Sequence, residues 1–149
     1  MVVNRMRKIL VVCLIALATS CSISVLAQSL ATNSLFQELG SKEGIKQIVG
    51  DFLPIVLNDA RIKNKFEDVD IDHLAKMLTE QFCELSGGPC KYSGKDMKTM
   101  HADLAISNAQ FNALVEDLQL AMEKHSVSAR AQNKMLAKLA PMQRNIVTK

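Results

Sequence analysis

Residues 87–101 read GGPCKYSGKDMKTMH, and the rest of the chain can be interpreted outward from this stretch. It opens on Gly-Gly-Pro, a combination that ends a helix. A turn-like segment follows, after which Asp96 can act as N-cap of a short helix that carries Met97, Met100 and His101. The stretch therefore predicts a helix end, a turn and a second helix that presents one histidine in apolar surroundings.

Helical periodicity extends on both sides of this stretch. Upstream, we expect a helix from Asp70 to Ser86 whose apolar face comprises Ile71, Leu74, Ala75, Leu78, Phe82 and Leu85. Downstream, Ser107 and Gln110 form a capping box for a helix whose apolar face comprises Phe111, Leu114, Val115, Leu118, Ala121 and Met122. Nearer the start, Ser41 is expected to cap another helix. No segment alternates with a period of two, so the sequence predicts an all-α domain.

Residues 1–27 have the pattern of a secretory signal peptide. Three basic residues precede an uncharged apolar run at 9–18, and small residues before Gln28 suit a signal peptidase. The run is shorter than the roughly 20 residues that span a bilayer, so we expect no stable membrane anchor after processing. Lipidation at Cys21 is a minor alternative. The expected organisation is a cleaved leader at 1–27 and one exported, periplasmic domain at 28–149.

Charge and motifs exclude several functions. The chain has 18 basic and 15 acidic residues, and removal of the three basic residues of the leader leaves the mature domain formally neutral. Such a domain has no basic stripe for phosphates, so nucleic acid is not an expected partner. There is also no HExxH, no zinc-type Cys/His spacing, no Gly-rich phosphate loop and no GxSxG.

Two cysteines, Cys83 and Cys90, remain once the leader is removed. An even pair in an exported protein predicts a disulfide, with two free buried thiols as the alternative. The pair is not CxxCH, which excludes covalent attachment of a c-type haem. The role of His101 stays open at this point, because spacing alone does not distinguish a structural histidine from a metal ligand.

Over residues 34–147 the chain resembles the group I truncated haemoglobins. The elements that carry the resemblance fall in the order and spacing of the family: 35–40, 51–52, 56–59, Phe66, 87–89, 92–98, His101 and Phe111. This resemblance implies an all-α, two-over-two helical sandwich around haem b.

The same resemblance assigns roles to individual residues. It implies that His101 is the proximal iron ligand through its neutral imidazole and that Phe66 packs on the porphyrin face. Tyr92, Ser93 and Lys98 lie where family members approach the haem propionates. The remaining lining positions are Phe52, Phe82, Leu85, Met97, Leu104, Phe111 and Leu114.

On the opposite, distal side the chain departs from the family pattern. Leu53 replaces a tyrosine that hydrogen-bonds the bound ligand, and Leu74 and Leu78 occupy positions that are often polar. Met77 stands where some members supply an internal histidine ligand, and His73 is a weaker candidate for that role. A pocket without hydrogen-bond donors is expected to hold O2 poorly.

Three functions follow as alternatives. The first is reversible binding of a diatomic ligand (O2, CO or NO) at the His101-ligated iron. The second is a six-coordinate His101/Met77 protein for electron transfer or for redox or gas sensing. The third is a haem-free helical interaction domain. The resemblance also admits NO dioxygenase or peroxidase-like activity, but this needs an electron donor, and the chain shows no flavin domain.

Overall fold

Seven α-helices and two 3₁₀ turns account for the secondary structure of residues 34–149, the part of the chain that the computed structural model describes. The α-helices are α1 (Leu35–Glu38), α2 (Ser41–Asn58), α3 (Ile71–Leu85), α4 (Met97–His101), α5 (Asn108–Lys124), α6 (Ala129–Leu139) and α7 (Gln143–Ile146). The 3₁₀ turns are Lys63–Lys65 and Ala140–Met142. The signal peptide expected at residues 1–27 lies outside the described residues.

The four long helices form two pairs. Helix α2 packs on α3, and α5 packs on α6, while α2 also contacts α5 and α3 contacts α6. Within residues 34–149 the only extended pairing is a single parallel bridge between Ile106 and Val147. The all-α prediction is therefore confirmed, and the two-over-two arrangement places the short helix α4 against α7 at one side of the bundle.

Side-chain caps fix most helix starts where the sequence predicts them. Asp70 accepts from the amide of His73 at the start of α3, and Asp96 accepts from the amide of Thr99 at the start of α4. Ser107 makes the expected capping box at α5. Each cap satisfies an amide that has no partner within its helix, so these boundaries follow from local sequence.

The expected cap at Ser41 is wrong. The N-cap of α2 is Gly40, with φ 79°, and Ser41 is the first helical residue, with no side-chain cap bond. Ser41 itself has φ 59°. The chain turns sharply between α1 and α2 through two successive left-handed residues, and glycine is the residue that adopts this conformation at least cost.

The core lies between the two helix pairs. Its largest fully enclosed side chains come from α2, α3, α5 and α6: Ile45, Val49, Val56, Cys83, Met122 and Met135. Helices α2 and α5 contribute six buried positions each, and α2 continues through Pro54. Within the described residues, no helix is long and apolar enough to cross a membrane.

A charged cluster closes the outer side of the contact between α2 and α5. Arg61 donates to Asp59 at 2.8 Å and to Glu116 at 2.5 Å. Asp117 is 2% exposed, and one of its carboxylate oxygens has no hydrogen-bond partner, while the other lies 3.8 Å from Arg61. Burial, followed by the charge of Asp59, raises the pKa of Asp117 above its ordinary value.

Candidate functional site

His101 is the last residue of α4, and its orientation is fixed by its own helix. Its Nδ1 lies 2.7 Å from the backbone carbonyl oxygen of Met97. A carbonyl oxygen only accepts, so Nδ1 carries the proton and donates it. In the neutral ring this leaves Nε2 with a free lone pair, the arrangement in which an imidazole coordinates a metal.

Helix α3 presents an apolar stripe with one polar member. Leu74, Leu78, Gln81 and Leu85 recur at intervals of four, three and four, so they share one face of the helix. The three leucines are half-buried and pack against the core. Phe66, which precedes α3 in the chain, is also half-buried and packs against the same core.

The other lining positions differ in how deeply they are enclosed. Phe52, Leu53, Phe82 and Phe111 are buried in the core or at its margin, and Leu114 and Met97 are half-buried. Leu104 is the least enclosed, with 38% of its surface exposed. Leu104, which the resemblance places in the pocket lining, lies in the bend that follows α4.

Gln81 is the site residue that the sequence analysis missed. It is 8% exposed, and its amide nitrogen lies 3.6 Å from the sulfur of Met97 and 3.9 Å from that of Met142. It therefore touches the helix that carries His101 as well as the 3₁₀ turn before α7. The sequence does contain an indication of its role, since Gln81 is a polar residue at a position where the helical period of α3 predicts an apolar one.

One turn of α3 also holds the loop that leads to α4. Glu80 accepts from the backbone amide of Ser93 at 3.1 Å and from its hydroxyl at 2.6 Å, and Glu84 accepts from the amide of Tyr92 at 3.0 Å. The Ser93 hydroxyl lowers the pKa of Glu80 below its ordinary value. We call these contacts, together with those of Cys83 and Cys90, the loop clasp.

Cys83 and Cys90 complete the loop clasp. Their Cα atoms are 5.7 Å apart and their sulfur atoms lie at covalent distance, which meets the geometric requirement for a disulfide. Cys83 is fully enclosed within α3, and Cys90 is half-buried in the loop. The pairing expected from the sequence is thus spatially allowed without movement of the backbone.

The residues assigned to the propionates lie on the loop and the outer face of α4. The Tyr92 hydroxyl donates to the carbonyl of Lys95 at 3.0 Å, and Lys98 is exposed to solvent. Nearby, the Lys65 ammonium donates to the carbonyl of Leu104 at 2.7 Å. Lys98 belongs to the helix that carries His101, and Lys65 contacts the segment that follows that helix.

The two distal ligand candidates have different surroundings. The Met77 sulfur is 3.9 Å from the hydroxyl of Ser93, at the edge between α3 and the loop clasp. The Ser93 hydroxyl proton goes to Glu80, so the thioether lone pairs are not engaged by a strong donor. His73 is exposed in the first turn of α3 and points away from the buried stripe.

These residues fit a haem. They offer one imidazole nitrogen with a free lone pair, an apolar wall with half-covered leucines and aromatic rings, and cations at the rim. Among residues 34–149, no group of three or more histidine, cysteine or carboxylate side chains is placed to hold a metal ion directly.

A two-over-two helical bundle with one such histidine defines a globin of the small, truncated class. The sequence profile of the bacterial-like globin family matches residues 34–148, nearly the whole described part of the chain. The chain belongs to this family, and within it to the group I truncated globins, a haem-binding and oxygen-binding lineage.

Individual relatives agree with this assignment. The chain is 33% identical over 95 residues to a group 1 truncated haemoglobin of Tetrahymena pyriformis, covering 64% of this chain and 78% of the relative. It is 26% identical over 115 residues to the group 1 truncated haemoglobin GlbN of Mycolicibacterium paratuberculosis, covering 77% and 85%. The crystal structure of the Tetrahymena pyriformis protein in its Fe(III) form superposes with a TM-score of 0.76 at 28% identity, over 78% of this chain and all of that one.

Proposed function

We propose that this globin binds haem b through Nε2 of His101 and reversibly binds a diatomic ligand on the other face of the haem. The observation that carries the proposal is the bond between His101 Nδ1 and the Met97 carbonyl, which holds the ring in the tautomer that a metal requires. When bound, haem supplies an iron centre with an open coordination position. The protein's part is to orient the imidazole and to exclude water.

The distal side distinguishes among ligands because its leucines provide no hydrogen-bond donor. Leu53 is 4% exposed, and Leu74 and Leu78 present hydrocarbon, so none of the three can donate a hydrogen bond. O2 needs such a donor more than CO does, because it accumulates more negative charge when bound. We infer weak retention of O2 and little penalty for CO or NO.

A purified sample tests the proposal. We expect the ferrous protein to show a Soret band that shifts on addition of CO. Absence of any Soret band after reconstitution with haem would instead favour the haem-free interaction domain. Replacement of His101 by alanine should abolish the native spectrum, since the described structure offers no second histidine on that side of the pocket.

Six-coordination by His101 and Met77 is a second candidate. It is favoured by the position of the Met77 thioether, which is half-buried one turn from Leu74 and not engaged by a strong donor. An unbranched thioether has three rotatable bonds and can swing toward an iron. A low-spin ferrous spectrum before addition of CO would support an electron-transfer or sensing role with an unidentified electron donor. A high-spin, five-coordinate spectrum would exclude this candidate.

We also propose that the domain is exported to the periplasm and carries a Cys83–Cys90 disulfide. The leader pattern supports export, and the placement of the two cysteines supports the bond, since oxidising compartments retain disulfides. Intact-mass measurement should find Gln28 as the first residue and no thiol accessible to alkylation. An uncleaved leader or a lipid on Cys21 would contradict the export route.

A further inference from the structure

The loop clasp connects α3 to the helix that carries His101. Its contacts involve Cys90, Tyr92 and Ser93, and only residues 94–96 separate Ser93 from the first residue of α4. The two carboxylates of the clasp are accessible to solvent, so their hydrogen bonds compete with water. The covalent contact between Cys83 and Cys90 is therefore the part of the clasp that water cannot replace.

The two sulfur atoms differ in accessibility. Cys83 has 0% of its surface exposed and lies within α3, whereas Cys90 is partly exposed in the loop. Thiol–disulfide exchange proceeds by attack of a thiolate on one sulfur while the other leaves. An incoming thiolate can reach Cys90, and Cys83 is then the leaving group.

We propose that Cys90 is a thiol-exchange site, and that opening its bond to Cys83 with a dithiol loosens the hold of the protein on α4 and on the proximal ligand His101. The inference rests on the haem-binding function and the disulfide proposed above. It assigns to the cysteines a part in controlling haem retention in addition to stabilising the fold.

The exchange requires a dithiol as its only co-reactant. One thiolate of the dithiol attacks the sulfur of Cys90, forming a mixed disulfide as the Cys83–Cys90 bond breaks, and Cys83 leaves and takes up a proton. The second thiol then attacks the mixed disulfide and releases Cys90 as a thiol. The dithiol ends as a disulfide, having given two electrons and two protons to the protein.

Haem transfer to excess apomyoglobin measures the consequence. The CO complex of the ferrous wild-type protein is compared before and after treatment with dithiothreitol. We expect roughly tenfold faster transfer after treatment, because the loop then opens locally. The Cys83→Ser/Cys90→Ser double variant should transfer at the fast rate and not respond to dithiothreitol. Equal rates for treated and untreated wild type would overturn the proposal.

Two further measurements separate this inference from the haem proposal. Hydrogen exchange at residues 91–101, measured on wild type without haem, should accelerate on reduction; unchanged exchange would overturn the inference even if haem binds. Oxidised glutathione should form an adduct with the Cys83→Ser variant, at Cys90, and react far less with the matched Cys90→Ser variant. The reverse preference would contradict the assignment of Cys90 as the attacked residue. Absence of a Soret band would refute haem binding alone.

Discussion

Leu53→Tyr should convert the distal pocket from one that holds O2 weakly to one that retains it. Leu53 belongs to the buried face of α2 and is 4% exposed, so a hydroxyl placed there meets little competing water. One hydrogen bond to a bound ligand contributes about 1–1.5 kcal/mol. We therefore expect O2 to dissociate roughly tenfold more slowly.

Leu53→Phe is the matched control, because it introduces the same ring without the hydroxyl. Both rings exceed the volume of leucine in a close-packed core, so both variants should lose about 1–3 kcal/mol of unfolding free energy. The effect of the hydroxyl is the difference in O2 dissociation rate between the two variants. The cost of overpacking is common to both variants and cancels in this difference. Since CO gains less from a donor, its dissociation rate should differ between them by about twofold at most.

Stopped-flow measurement of O2 and CO dissociation from the ferrous variants provides the assay. The reasoning is refuted if tyrosine and phenylalanine give the same O2 dissociation rate, since the side chain at position 53 would then not face the ligand. It is also refuted if wild type already releases O2 as slowly as the tyrosine variant. That result would mean that another group, such as Gln81, supplies a donor.

Three further predictions concern other parts of the molecule. His101→Ala should lose the native Soret spectrum, and added imidazole should restore it, because the cavity left by the ring accepts a free ligand; a normal spectrum without imidazole would refute the proximal assignment. Met77→Leu should raise the CO association rate only if Met77 ligates the iron, so an unchanged rate and spin state would identify Met77 as a packing residue. Asp117→Asn should stabilise the fold by about 1 kcal/mol at pH 7, since it removes a buried carboxylate with an unpartnered oxygen. The pKa of Asp117 is raised in the folded state, so its own contribution to stability falls as the pH rises above the ordinary value of 3.8. The gain from the asparagine substitution, measured by urea unfolding against wild type, should therefore be larger at pH 7 than at pH 4. A gain of the same size at both pH values would contradict it.

The local sequence was sufficient for the helix boundaries near the site. The side chains of Asp70, Asp96 and Ser107 each accept a hydrogen bond from the backbone amide three residues further on. The residue that starts the helix and the amide that it caps are therefore close together in the sequence. The bond between His101 and Met97 is of the same kind, spanning four residues of one helix. Such interactions need no knowledge of the rest of the fold.

Other features were decided by tertiary structure. Gln81 occupies an apolar position of α3 because its amide meets two methionine sulfurs, and Met142 lies 61 residues away along the chain. Asp117 is likewise buried beside Arg61, which lies far earlier in the chain and follows a different helix. The helical period identifies the side of a helix on which a residue lies. Which residues pack against that side depends on contacts between segments that are distant in the sequence. Those contacts determine whether a buried polar group has a hydrogen-bond partner.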